Sequence, residues 1–313
     1  MEPDAQGLLD VGDGNLVFWE AGGSPHGKPA LIVHGGPGSP SDGLGRYFDP
    51  ARYRVVNFHQ RGCGKSRPSA LDPATDMRSN TTAHLIADME RLREHLGIET
   101  WLLFGGSWGS TLILAYAERY PHRVSEIVLI GVTTSRPAEG EWLYQGVGRF
   151  LPAEWESFRD GVPPADRTDL PAILRGYATL MADPDPEVRR RAAVTWVTWE
   201  DAVIGHESNG KPDSYSDQPL DDLLTMVRIC AHYFSNNVFL DGDIILREAH
   251  KLAGIPAVLI HGRLDLSSPL DTAWQLTKVW PAADLVVVDD AGHTGSAAMS
   301  DAIRAAVDRF SRA

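Results

Sequence analysis

The residues best suited to covalent chemistry lie in the run Gly105, Gly106, Ser107, Trp108 and Gly109. This Gly-x-Ser-x-Gly pattern follows the short apolar run 101–104 and precedes helically spaced Leu112, Leu114 and Tyr116. A serine on a sharp turn between a strand and a helix presents its Oγ outward, and it needs small neighbours because the turn is strained. The N-terminus of the helix that follows favours a developing oxyanion. A serine hydroxyl is unreactive without a base, and the base needs an acid to orient it. The chain supplies both after later apolar runs: Asp265 in HGRLD follows 257–260, and His293 in DDAGH follows 285–288. Asp289 and Asp290 are rival acids, but they stand so close before His293 that their expected role is to end the strand. A second glycine-rich run, His34 to Gly38 (HGGPG), lets a backbone N–H approach a substrate carbonyl oxygen. Gly35 or Gly36 would give one such donor, and the N–H of Trp108 the other.

These residues need a scaffold that brings distant loops to one place. Near-continuous apolar runs recur at 31–33, 55–58, 101–104, 127–130, 257–260 and 285–288. Runs of this length suit parallel strands buried on both faces. Between them lie helical patterns such as Leu85, Met89, Leu92 and Leu96, with Asn80 as the expected N-cap and Gly97 as the stop. Alternating β and α units predict an α/β fold with a mainly parallel central sheet covered by helices. Residues 16–19, flanked by turn residues, are expected to form an antiparallel edge strand. From 134 to 243 the strand runs vanish, and helically spaced residues such as Leu223, Met226, Val227 and Cys230 take over. Because β/α units resume at Ile255, this stretch reads as a helical cap, 134–243, inserted into one core made of 1–133 and 244–313.

Composition narrows the function classes. The 313 residues carry 29 Lys plus Arg against 42 Asp plus Glu, a net charge of −13, the wrong sign for neutralising phosphates, so nucleic acid is not an expected partner. Two cysteines, Cys63 and Cys230, are too few for a disulfide framework or a Cys-based zinc site, which favours a cytoplasmic setting. The first residues are acidic and lack a basic segment followed by an apolar one, and no run of 18 apolar residues occurs, so neither secretion nor membrane insertion is expected. Gly62 to Ser66 ends like a phosphate-binding loop, but His59 stands where its first glycine belongs, and the segment reads as a loop near the site. His206 and Glu207 do not extend into H-E-x-x-H, and no metal or cofactor is expected. Arg189, Arg190 and Arg191 read as a solvated helix face.

Taken together, HGGPG at 34–38, QRGCGKS at 60–66, GGSWGSTL at 105–112, HGRLD at 261–265 and AGH at 291–293 resemble the proline iminopeptidase family. WLYQGVGRFLP at 142–152, WVTWE at 196–200 and RICAHYF at 228–234 resemble its cap segments. The resemblance implies an α/β-hydrolase core with a helical cap, and release of an N-terminal residue, often proline, from a small peptide or aminoacyl amide. Ser107, Asp265 and His293 match the family's triad, and Glu200 matches a cap glutamate that binds the substrate's free amine. The chain departs from the pattern at His59, where the family usually has Asp, and at Cys230, where it has a second amine-binding Glu. Losing one charge-assisted hydrogen bond of about 1.5 to 3 kcal/mol would weaken selection for a free amine roughly 10- to 100-fold. Of the cap aromatics Trp142, Tyr144, Trp196, Trp199, Tyr233 and Phe234, about two are expected at the pocket and the rest in the cap core; the pocket candidates are Trp142, Tyr144 and Tyr233, together with Cys230. Three alternatives remain open at this point: removal of an aminoacyl group from a non-peptide small molecule, a broad esterase, and a non-catalytic binding protein that keeps the fold.

Overall fold

The computed structural model describes residues 1–40, 43–207 and 213–311. Its strands are β1 (Pro3–Gly12), β2 (Asn15–Gly23), β3 (Lys28–Val33), β4 (Tyr53–Phe58), β5 (Trp101–Ser107), β6 (Val124–Val132), β7 (Ala257–Gly262) and β8 (Ala283–Val288). All six apolar runs of the sequence fall inside β3 to β8. They form one sheet in the order β1-β2-β4-β3-β5-β6-β7-β8, parallel from β4 through β8. Residues 16–19 are antiparallel as expected, but they lie inside β2, which pairs with β4 on one side and β1 on the other. The outer strand is therefore β1, whose sequence PDAQGLLDVG is rich in residues that strands disfavour. The hairpin closes through Asp13 (φ 56°) and Gly14 (φ 73°), the left-handed pair that a tight two-residue turn requires.

The helices are α1 (Thr82–His95), α2 (Trp108–Arg119), α3 (Pro137–Tyr144), α4 (Pro152–Asp160), α5 (Leu170–Met181), α6 (Pro186–Gly205), α7 (Leu220–Phe234), α8 (Ile244–Glu248), α9 (Asp271–Val279) and α10 (Ala297–Phe310). Side chains alternate across β5, so Leu103 packs on one face with Leu85, Met89, Leu112 and Leu276, from α1, α2 and α9. Leu102 and Phe104 pack on the other face with Met299, Ile303 and Val307 of α10. A third apolar cluster lies wholly between β6 and β7 in sequence, where Tyr144, Phe158, Tyr177, Trp196 and Trp199 pack together from α3 to α6. Phe158 and Tyr177 stack with centroids 4.8 Å apart, and the α7 residues Met226, Val227 and Cys230 close the same cluster.

Asn80 does not cap α1. Thr81 does, accepting a hydrogen bond from the His84 N–H, and Asn80 is instead buried between two other segments. Its Nδ2 donates to the Arg61 carbonyl at 2.9 Å, and its Oδ1 accepts from the Tyr233 hydroxyl at 2.8 Å. Arg61 in turn makes a buried two-pronged pair with Asp88 of α1, Nε–Oδ2 at 2.7 Å and Nη2–Oδ1 at 2.8 Å. The 60–66 loop is thereby fixed to α1 and to α7. No helix of the described residues is long and apolar enough to cross a membrane.

Candidate active site

Parallel strands leave their carboxyl ends along one edge of the sheet, where loops converge. Ser107 is the last residue of β5 and stands just before α2, with φ 54° and ψ −131°. A non-glycine residue reaches this conformation only when its surroundings enforce it. The turn is closely packed: a Cβ on Gly109 would lie 2.3 Å from the Val33 carbonyl, so α2 can cross the end of β3 only where residue 109 has no side chain. A Cβ on Gly35 would lie 3.3 Å from the Gly106 carbonyl and 3.4 Å from Ser107 Cβ, so the HGGPG loop rests directly against the serine.

That loop is locked by a buried neutral histidine. His34 Nδ1–H donates to the Gly35 carbonyl at 2.9 Å, and its Nε2 accepts from the Gln60 N–H at 3.0 Å. Burial drives its pKa down to about 4, in keeping with one protonated and one bare nitrogen. The Gln60 side chain then joins both expected oxyanion segments, donating to the His34 carbonyl and accepting from Trp108 Nε1, each at 2.9 Å. Sequence reasoning found this loop but not the connecting role of Gln60.

Asp265 follows β7 and His293 follows β8, and the two meet with His293 Nδ1 at 2.8 Å from Asp265 Oδ2. Asp265 Oδ1 also accepts from Ser268 N at 2.7 Å and Ser267 Oγ at 3.0 Å. Burial opposes ionisation of Asp265, yet the charge and hydrogen bond of His293, with His261 and the Ser268 N–H, outweigh it and hold the carboxyl below its ordinary value. Burial likewise opposes the charged form of His293, but Asp265, then Glu207 and Glu200, raise it to about 9. Asp289 and Asp290 lie away from this pair, bonding Arg263 and Ser296.

Ser107, Trp108, Gly36 and His293 line one cavity of about 480 Å³, roofed by Tyr144, Glu200, Tyr215 and Phe234 of the helical segment. Glu200 is partly buried, and its Oε1 accepts from Tyr144 Oη at 2.7 Å and Trp196 Nε1 at 2.8 Å. Burial raises its pKa to about 7 against those two hydrogen bonds. Of the four pocket candidates only Tyr144 faces the cavity; Phe234, which lines it beside Tyr144, was expected in the cap core. Three other pocket candidates do not line it. Trp142 turns away to donate to the Leu266 carbonyl at 2.7 Å. Tyr233 packs edge-on against Trp108 and bonds Asn80, and the Cys230 Sγ donates to the Pro37 carbonyl at 3.3 Å. His59 also lies outside the cavity wall, with Nδ1 accepting from the Lys65 N–H at 2.9 Å and its ring against Phe18. Among the described residues, no group of three or more His, Cys, Asp and Glu side chains is arranged to hold a metal ion.

Comparison with known proteins agrees with this architecture. The profile of the alpha/beta hydrolase fold family matches residues 28–296. A probable proline iminopeptidase of Streptomyces coelicolor is 48% identical, with 100% of this chain and 97% of that protein covered. Proline iminopeptidases of Xanthomonas citri and Neisseria gonorrhoeae are 41% and 40% identical, each over 98% of this chain and 97% and 96% of theirs. Among solved structures, VinJ superposes with a TM-score of 0.65 at 18% identity, covering 99% of each chain, a likeness of fold alone. The sheet order, the strand-end serine and the full-length similarity to these relatives together place the chain in the proline iminopeptidase family of α/β-hydrolase-fold proteins.

Proposed function

We propose that this protein is a serine aminopeptidase that removes an N-terminal aminoacyl residue, proline or another small residue, from a peptide or amide through an acyl-enzyme. The observation that carries the reading is that Ser107, His293 and Glu200 line one cavity, with His293 already bonded to Asp265. His293 takes the Ser107 hydroxyl proton as Oγ attacks the carbonyl carbon, and Asp265 holds the imidazole in position. The carbonyl π pair moves onto oxygen, where the N–H groups of Gly36 or Gly35 and of Trp108 stabilise it. His293 passes the proton to the leaving nitrogen, the C–N bond breaks, and water cleaves the ester by the reverse proton path. Glu200 receives the substrate's ammonium group through the carboxylate oxygen not occupied by Tyr144 and Trp196. A cytoplasmic site of action suits the two buried free thiols, Cys63 and Cys230.

The experiment is turnover of aminoacyl arylamides combined with fluorophosphonate labelling. Wild-type protein is expected to label at Ser107, and Ser107→Ala to lose both labelling and turnover. Turnover at the wild-type rate in Ser107→Ala refutes the assignment.

A further inference from the structure

Glu207 lies two residues beyond α6, in the helical segment, and its side chain reaches down into the core. Its Oε1 accepts from the Leu266 N–H at 3.1 Å, and its Oε2 from the His293 N–H at 2.5 Å. Leu266 immediately follows Asp265, so one carboxylate bonds the backbone of both loops that carry the acid and the base. Gly292 makes this approach possible: a Cβ there would stand 2.1 Å from Glu207 Oε2. Its φ lies outside the left-handed region, so glycine is required at 292 for proximity and not for conformation.

We propose that Glu207 is a positioning residue for acyl transfer, a carboxylate on the cap that clamps the Asp265 and His293 loops together through one backbone amide of each. The proposal rests on the assignment of Ser107, Asp265 and His293 made above. Asp265 orients the His293 ring from its side chain, whereas Glu207 fixes where the His293 backbone starts. The same contact ties the seating of the cap to the alignment of the base. It also adds charge: Asp265, Glu207 and Glu200 all raise His293 against burial, while His261 on β7 is itself lowered, by burial first and also by the charge of His293. Glu207 itself is pushed up to about 7 by burial and by Asp265, against His293 and the two amides.

The test is the rate of fluorophosphonate labelling at Ser107 against pH in wild type, Glu207→Gln and Glu207→Asp, read per folded molecule. Labelling reports activation of the serine by His293 without assuming a substrate. In Glu207→Gln the amide NH₂ opposes one of the two backbone donors, so the high-pH plateau is expected to fall about 10- to 100-fold. Loss of the negative charge moves the acid limb, set by His293, to lower pH. Glu207→Asp keeps the charge but is one methylene short of spanning both amides, so its limb stays in place while its plateau falls. A folded Glu207→Gln protein with wild-type plateau and wild-type limb overturns the proposal, as does a loss matched by lost folded protein with the limb unmoved. If neither variant folds, the wild-type His293 amide proton decides: a strongly downfield resonance supports the carboxylate contact, and an ordinary shift overturns it. Absence of labelling in the wild type overturns the serine-hydrolase reading itself, which separates the two failures.

Discussion

Replacing Glu200 with Gln tests amine recognition with two readouts of opposite sign. The substitution keeps the shape of the side chain and leaves a carbonyl oxygen for Tyr144 and Trp196, which now bond Glu200 Oε1 at 2.7 and 2.8 Å. It puts an NH₂ where the carboxylate faced the cavity, donor against the donors of an incoming ammonium. A charge-assisted hydrogen bond contributes about 1.5 to 3 kcal/mol, so the ratio of kcat/KM for a free aminoacyl arylamide to that for its N-acetylated form is expected to fall roughly 10- to 100-fold. Stability moves the other way. Burial raises Glu200 from 4.5 to about 7, so the folded state holds its proton more tightly than the unfolded chain does. Between those two values unfolding releases a proton, and the wild-type fold loses stability as pH rises through that window. Above pH 7 the full penalty is present, up to about 3 kcal/mol, and Glu200→Gln is relieved of it. Urea unfolding at pH 4 and pH 8 should therefore show the variant equal to wild type at the lower pH and more stable at the higher. An unchanged free-amine preference refutes the role of Glu200, and a variant less stable than wild type at pH 8 refutes the electrostatic reasoning behind it.

Two further substitutions test the scaffold. Asp88→Ala leaves the Arg61 guanidinium buried without its two-pronged partner and should cost about 3 to 5 kcal/mol in urea unfolding, with the loop that carries Gln60 loosened as well. Cys230→Ala removes a weak S–H donor to the Pro37 carbonyl and should cost about 1 kcal/mol, with the free-amine preference measured on the arylamide panel unchanged because the thiol bonds Pro37 and does not line the cavity.

The strands from β3 to β8 were legible because parallel pairing buries both faces and leaves apolar runs in the sequence. The hairpin β1–β2 was only half legible, since β1 is covered on one side and its composition carries little strand signal. Ser107, Asp265 and His293 stood out because reactive residue types occur directly after such runs, and the sheet delivers those positions to one edge. Side-chain direction in the helical segment was a different matter. Trp142, Tyr144, Cys230 and Tyr233 all sit at helical spacing, and a small change in helix rotation decides whether a residue faces the cavity, the apolar cluster between the helices or the sheet. Glu207 was illegible for another reason: its partners are the backbone amides of Leu266 and His293, and a backbone amide leaves no mark in sequence.

The two departures from the family pattern can be weighed by where they lie. His59 packs on Phe18 behind the 60–66 loop, and the Cys230 thiol supports the HGGPG loop from the α7 side. Neither interrupts the chain of contacts from His34 through Gln60 to Trp108 that joins the two proposed oxyanion segments. What changes is the charge available to a cationic substrate. Glu139, Glu141 and Asp169 also line the cavity, but with a neutral thiol at 230 Glu200 is the family-matching carboxylate that remains, and its pKa of about 7 places it on the edge of ionisation. An arriving ammonium favours the charged form of Glu200 and at the same time offsets a negative charge that raises His293. On the proposed assignment, binding of a free amine is expected to lower the pH at which His293 becomes an effective base, a shift of the acid limb that pH profiles of free and N-acetylated arylamides would show. An N-blocked substrate lacks that charge and would leave His293 raised, so the proposed discrimination would rest on the state of the base as well as on the contact with Glu200.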